Sequence, residues 1–181
     1  MALASPLPIA VAALLLGGSA ASAQASAFVA AGAIVPLEDF NTVAEAGPAL
    51  AAGVVFETRA PRLSAGVEGV YGWANHRLGD ARSDVYALMG FAAYTLSGLG
   101  TLELRPRVGV GAIAHARRSD EFPGLDATRA GMGGMLGLHA AIPIGRVHAF
   151  ASGSYVRGAG GMDSEAFPTQ LVLVTAGVTL R

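Results

Sequence analysis

Apolar and polar residues alternate with a period of two through most of the chain after residue 25. Between Thr101 and Ala116 the apolar set is Leu102, Leu104, Val108, Val110, Ala112 and Ala114. The other set holds Glu103, Arg105, Arg107 and His115, with Gly109 and Gly111 between them. A period of two marks a β-strand with two unlike faces. Over 62–74, Leu63, Ala65, Val67, Tyr71 and Trp73 alternate with Arg62, Ser64, Gly66 and Glu68. Over 129–142, Met132, Leu136, Leu138 and Ile142 oppose Gly131, Gly133, Gly137 and His139. Over 146–157, Val147, Ala149, Ala151 and Tyr155 oppose Arg146, His148, Ser152 and Ser154, with Phe150 on the polar side against the rule. Segments 47–57 and 84–96 alternate poorly.

Turn signals divide the chain into eight predicted strands, at 26–36, 47–57, 62–74, 84–96, 101–116, 129–142, 146–157 and 169–180. Most exceed the usual soluble strand of about 5–6 residues and reach the roughly 9–11 that a tilted strand needs to cross a bilayer. The connections alternate in length. "TRAP" (58–61), "SGLG" (97–100) and "PIG" (143–145) are tight, whereas 37–46, 76–83, 119–128 and 158–168 are long. The long ones hold nine of the 13 acidic residues. Long loops at one end and short turns at the other predict an eight-stranded antiparallel up-and-down barrel.

In a membrane barrel the apolar face looks outward, because lipid is the solvent there. That choice sends Glu68, Glu103, Arg105, Arg107, Arg146, His139 and His148 into the lumen. An eight-stranded barrel is filled by its own side chains, and charges buried there require partners. A salt-bridged plug is therefore expected in preference to an ion gate. Outward aromatics should gather at the two interfaces: Tyr71, Trp73 and Tyr155 near the long loops, Phe56 and Tyr94 near the short turns. Pro106, inside a predicted strand, implies a bulge or a break in the ladder.

Composition agrees with a membrane barrel. Charged residues are only 14%, mean hydropathy is +0.50, and the formal net charge of -1 offers no basic face for nucleic acid. All 12 basic residues are Arg. With no Cys in the chain, disulfides, Cys-based zinc sites and Cys nucleophiles are excluded. The N-terminus, "MALASPLPIAVAALLLGGSAASAQASA", has an apolar stretch from Ile9 to Leu16 followed by small residues. It reads as a signal peptide over residues 1–23, cleaved after Ala23 or Ala25, ahead of a barrel domain over 26–181.

The motifs "FVAAGAIVPLEDF", "GPALAAGVVFE", "VYALMGFAAYTL", "RPRVGVGAIAHA" and "VLVTAGVTLR", in this order, resemble the small outer-membrane β-barrel proteins, the OmpA/OmpX/OmpW-like group. The resemblance covers about residues 26–181. It implies a monomer in the bacterial outer membrane, inserted by the barrel-assembly machinery. Its expected surroundings are outer-membrane lipids and lipopolysaccharide, and its expected role structural or surface-interacting. It departs at the end, where that family closes on an aromatic and this chain on Leu180 and Arg181.

Three other readings remain: a lipid A-modifying barrel enzyme, a narrow channel, and a soluble secreted barrel that binds a ligand. For the enzyme, the sequence-local pairs are His76 with Ser83, His115 with Ser119, and His148 with Ser152. None has the one-residue spacing of the deacylase motif. The four histidines show no ligand spacing, so no metal and no cofactor are expected. Phe40, Phe122 and Phe167, in the acidic loops, are candidates for contact with a surface partner, against the plainer reading of a solvated rim.

Overall fold

A computed structural model describes residues 24–77, 81–96, 100–119, 127–158 and 169–180. The segment read as a signal peptide lies outside them, as do Phe122 and Phe167. The strands are β1 (Ala25–Pro36), β2 (Gly47–Glu57), β3 (Leu63–Asn75), β4 (Ala81–Tyr94), β5 (Glu103–Ser119), β6 (Ala127–Ile144), β7 (Val147–Gly158) and β8 (Gln170–Leu180), with one short helix, α1 (Glu38–Val43), after β1. Every strand pairs antiparallel with its sequence neighbours, and β8 returns to β1, closing an eight-stranded barrel. Closure leaves no strand edge unpaired, which is the condition for a sheet to exist in lipid.

The two faces sort as lipid and lumen. Val29, Leu50, Leu88, Val108, Val110, Met132, Leu136 and Val174 all point outward and are between 51% and 65% exposed. A belt of bare aliphatic side chains on every described strand-to-strand face suits hydrocarbon and is unsuited to water. It removes the soluble-barrel reading, in which these residues would line the interior.

The lumen is packed. Phe28, Ile34, Met89, Phe91, Ile113, Met135, Phe150 and Leu173 are buried in it. Glycines on the wall make this possible. An added Cβ at Gly53 would stand 2.7 Å from the Phe28 ring, and one at Gly66 2.5 Å from the ring of Phe91. These positions are hollowed so that aromatic rings can lie against the sheet.

Pro106 produces no bulge. Its neighbours keep register with β6 (Arg105↔His139, Pro106↔Leu138, Arg107↔Gly137). On the β4 side the continuous ladder ends at Ala93↔Arg107, and the isolated Leu96↔Leu104 bridge preserves the same register. The ladder to β4 is thus interrupted at Pro106 and resumes past it, where Leu96 N–H donates to Leu104 O at 2.8 Å: a break in the ladder, as expected of a residue without an N–H. At the long-loop end β5 and β6 run to 17 and 18 residues, more than a bilayer requires, and so stand beyond it.

Candidate functional site

The interior is organised around Arg107. Its position on β5, opposite Ala93 and Gly137, turns it inward, and it is 5% exposed. Nη1 donates to Oε2 of Glu68 at 3.0 Å, across the lumen from β3. Nη2 donates to the hydroxyls of Ser152 at 3.2 Å and Ser154 at 2.9 Å on β7. The guanidinium also lies 5.2 Å from the centre of the Phe91 ring, a cation–π distance. One side chain thus ties three strands that are not neighbours in the sheet. Glu68 is 3% exposed.

A second pair lies nearer the short turns. Arg105 Nη2 donates to Glu103 Oε2 at 2.6 Å, on the same strand and the same face. The side chains are 15% and 29% exposed, so this pair is wetter than the first. His139, opposite Arg105, stacks on Phe150 at 4.5 Å, and Phe28 meets Phe150 edge-on at 5.8 Å. The inward Phe150, unexplained by alternation, is the flat partner of this histidine. Buried Ser64 Oγ, Glu68 Oε1, Arg105 Nε and Arg107 Nε find no partner in the protein. A cavity of about 40 Å³ touches Ser64, Arg105 and Arg107 as well as His139 and His148, which is room for ordered water. Arg146 is exposed in the Gly145–Arg146 turn and does not enter the lumen; the two-residue hairpin places it past the end of the wall.

The lumen's other end is roofed. α1 places Phe40, 2% exposed, into the barrel mouth, where it packs edge-on against the His115 ring at 4.9 Å. Phe40 is therefore a lid residue, not a loop-tip ligand. Backbone and side-chain bonds hold the lid: Glu45 N–H donates to Asn75 O at 2.9 Å, Arg77 reaches Asn41 Oδ1 at 3.2 Å, and the Gln170 amide donates to Glu38. Beneath it, Ser83 Oγ sits between His76 Nε2 at 2.9 Å and His115 Nε2 at 2.7 Å. The fold thus joins His76 with Ser83 and adds His115, which sequence spacing had matched with Ser119. Burial, and then the charge of Arg117, lowers the pKa of His76 below its ordinary 6.5. Ser83 is 1% exposed and faces the lumen.

On the outer face the predicted aromatics Tyr71 and Trp73 lie side by side near the long loops, their ring centres 5.6 Å apart. Tyr86, not singled out from the sequence, stacks on Tyr71 at 5.1 Å. Tyr155 also faces outward there and donates to Gln170 Oε1 at 2.7 Å. Tyr94 is 44% exposed and Phe56 half-buried, both outward near the short turns. Among the described residues, no group of three or more His, Cys, Asp or Glu is placed to hold a metal ion.

No protein-family model matches the sequence, and no curated protein matches it. Solved structures do match in fold. Neisserial surface protein A superposes with a TM-score of 0.68 at 12% identity, over 88% of this chain and 98% of that one. Ail, the attachment invasion locus protein of Yersinia pestis, gives 0.55 at 14% identity over 88% and 98%. A major outer membrane protein from Thermus thermophilus gives 0.51 at 20% identity over 87% and 99%.

Proposed function

We propose, for a chain that has the fold of the small eight-stranded outer-membrane β-barrels, that it is a monomeric outer-membrane protein with a sealed lumen and a structural or surface-interacting role. In this reading the barrel-assembly machinery inserts it, and its working surfaces are the rim and the outside wall. The observation that carries the proposal is the Arg107–Glu68 bridge, which spans the lumen amid Phe28, Phe91, Met135 and Phe150, all buried. Ions would have to break a buried charge pair and displace packed rings to pass.

The enzyme reading is disfavoured by where Ser83 stands. Its hydroxyl, paired with two histidines, is on the lumen side and closed over by α1. A lipid acyl ester lies on the other side of the wall. The test is conductance of the purified barrel in a planar bilayer, with insertion verified by faster gel migration unboiled than boiled. Folded, inserted protein is expected to be electrically silent. Steady ion conductance by the wild-type barrel would overturn the sealed-lumen reading.

A further inference from the structure

At the long-loop end, above the apolar belt, the outward face of β3–β5 carries an ionic cluster. Asp84 belongs to β4's outward set, opposite Trp73 on β3 and Ala116 on β5, yet it is 1% exposed. Two arginines and a tyrosine cover it. Arg82 Nε is 3.1 Å from Oδ1 and Arg118 Nε 3.1 Å from Oδ2, and the Tyr71 hydroxyl donates to Oδ1 at 3.3 Å. Both arginine side chains remain about half exposed, at 45% and 58%. Among the described residues, one carboxylate against two guanidiniums leaves a positive charge in surplus. Asp84 orients the two forks side by side, because Arg82 and Arg118 are direct partners in the ladder.

What lies beneath the arginines is as telling as the arginines themselves. The ladder sets the outward residues in rows. Arg82 and Arg118 form the top row, Trp73, Asp84 and Ala116 the next, then Tyr71, Tyr86 and Ala114, and then Gly69, Leu88 and Ala112. Going down the wall, the order is cation, aromatic belt, then apolar surface. Beside Tyr86 and Leu88, the small residues Gly69, Ala112 and Ala114 leave a shallow apolar depression. This vertical order matches a lipid with an anionic headgroup: charge at the surface, glycerol or sugar at the interface, chain below. Paired guanidinium forks suit phosphate, which accepts two hydrogen bonds from each.

We infer that this face of β3–β5 binds one phosphorylated lipid of the leaflet on the long-loop side, its phosphate on Arg82 and Arg118 and an acyl chain along the furrow below Tyr86. The inference rests on the membrane placement proposed above, but not on the sealed lumen. Trp73, the single tryptophan of the chain, abuts the site and reports on it.

The test reconstitutes the barrel in phosphatidylcholine vesicles and titrates in diphosphoryl lipid A while Trp73 emission is followed. Dephosphorylated lipid A and inorganic phosphate are the parallel arms. The site requires saturable binding of the phosphorylated lipid. It also requires binding to weaken at least about tenfold in Arg82→Gln/Arg118→Gln, the loss of one or more charge-assisted bonds. Arg59→Gln, which removes one arginine charge at the other end of the barrel, in the short 58–61 turn, should leave it unchanged. If the double variant fails to fold, Arg82→Gln/Asp84→Asn/Arg118→Gln removes the carboxylate with its partners and serves in its place. Equal affinity in wild type and variant would overturn the site. Equal response to dephosphorylated lipid, or to inorganic phosphate alone, would overturn a phosphorylated lipid as its ligand. None of these readouts depends on conductance, so this proposal and the sealed lumen can fail separately.

Discussion

Glu68→Gln removes one charge from the centre of the barrel and almost no volume. The amide can still accept a hydrogen bond from Arg107, but the guanidinium loses its counter-charge. At 3.0 Å, with an effective dielectric of about 20, the lost attraction is about 5 kcal/mol. The hydrogen bond from the still-charged guanidinium to the new amide oxygen returns about 1.5–2 kcal/mol. The net loss is about 3–4 kcal/mol, within the range for stranding one member of a buried pair. Ser152 and Ser154 still hold Arg107 inside the lumen. The same change at Glu103 is expected to cost about 1 kcal/mol or less, since that pair is 15% and 29% exposed and water replaces the partner. Both are measured by urea titration of the barrel in lipid vesicles, read by Trp73 emission. Replacing the whole pair, as Glu68→Met/Arg107→Met, should recover much of the loss, because an apolar filling leaves no charge stranded. If Glu68→Gln costs no more than Glu103→Gln, or the double variant is worse than the sum of its singles, the central bridge is not a dry, coupled pair and the reasoning fails.

Three further outcomes follow from other parts of the wall. Val110→Arg, at a site 59% exposed to lipid, should destabilise the inserted barrel by about 2–4 kcal/mol in the same titration, while Val110→Leu should be close to neutral; equal effects would mean the face is not in hydrocarbon. Gly66→Ala puts a methyl 2.5 Å from the Phe91 ring and 2.5 Å from the Val54 carbonyl oxygen, so overpacking should cost about 1–3 kcal/mol, and unchanged unfolding would show that the ring moves freely. His76, past the end of β3, has its pKa lowered by burial and then by Arg117. The unfolded chain therefore takes up the proton first, so stability should fall as the pH drops below the ordinary 6.5. His76→Asn should flatten that part of the profile, and a profile identical to wild type would count against it.

The strands were legible where lipid dictates the pattern. β2 is found at the predicted 47–57 in spite of its poor alternation, because Gly47 and the turn after Glu57 bound it. β4 begins at Ala81, not 84, because Arg82, Ser83 and Asp84 resemble a polar loop. They stand at the long-loop end, where the lipid rule stops applying and a strand can carry any residue. The same ambiguity concealed Asp84, Arg118 and Tyr86, whose grouping depends on the register of three strands. Parity alone turned Glu68, Arg105 and Arg107 to one side of the wall. It could not choose partners, since the distance from Glu68 to Arg107 is set by the barrel's diameter. Arg146 was misread because parity was extended into a two-residue turn. The inward turn of Phe40 on α1 had no local signal, for a phenylalanine in an acidic loop looks the same whether it turns outward or in.

The seam that joins β1 to β8 pairs Ala27 with Leu180 and Pro36 with Leu171, the two extremes of the described chain. Every other seam joins strands that are neighbours in sequence and closes only the connection between them. This one closes a loop nearly as long as the domain, so it bears the largest chain-entropy cost of the eight. Until it forms, β1 and β8 each present a row of unpaired amides, and hydrocarbon does not tolerate them. Entry into the bilayer and closure of the ring are therefore one event, and a chain cut short before β8 has no half-built membrane form in which to wait.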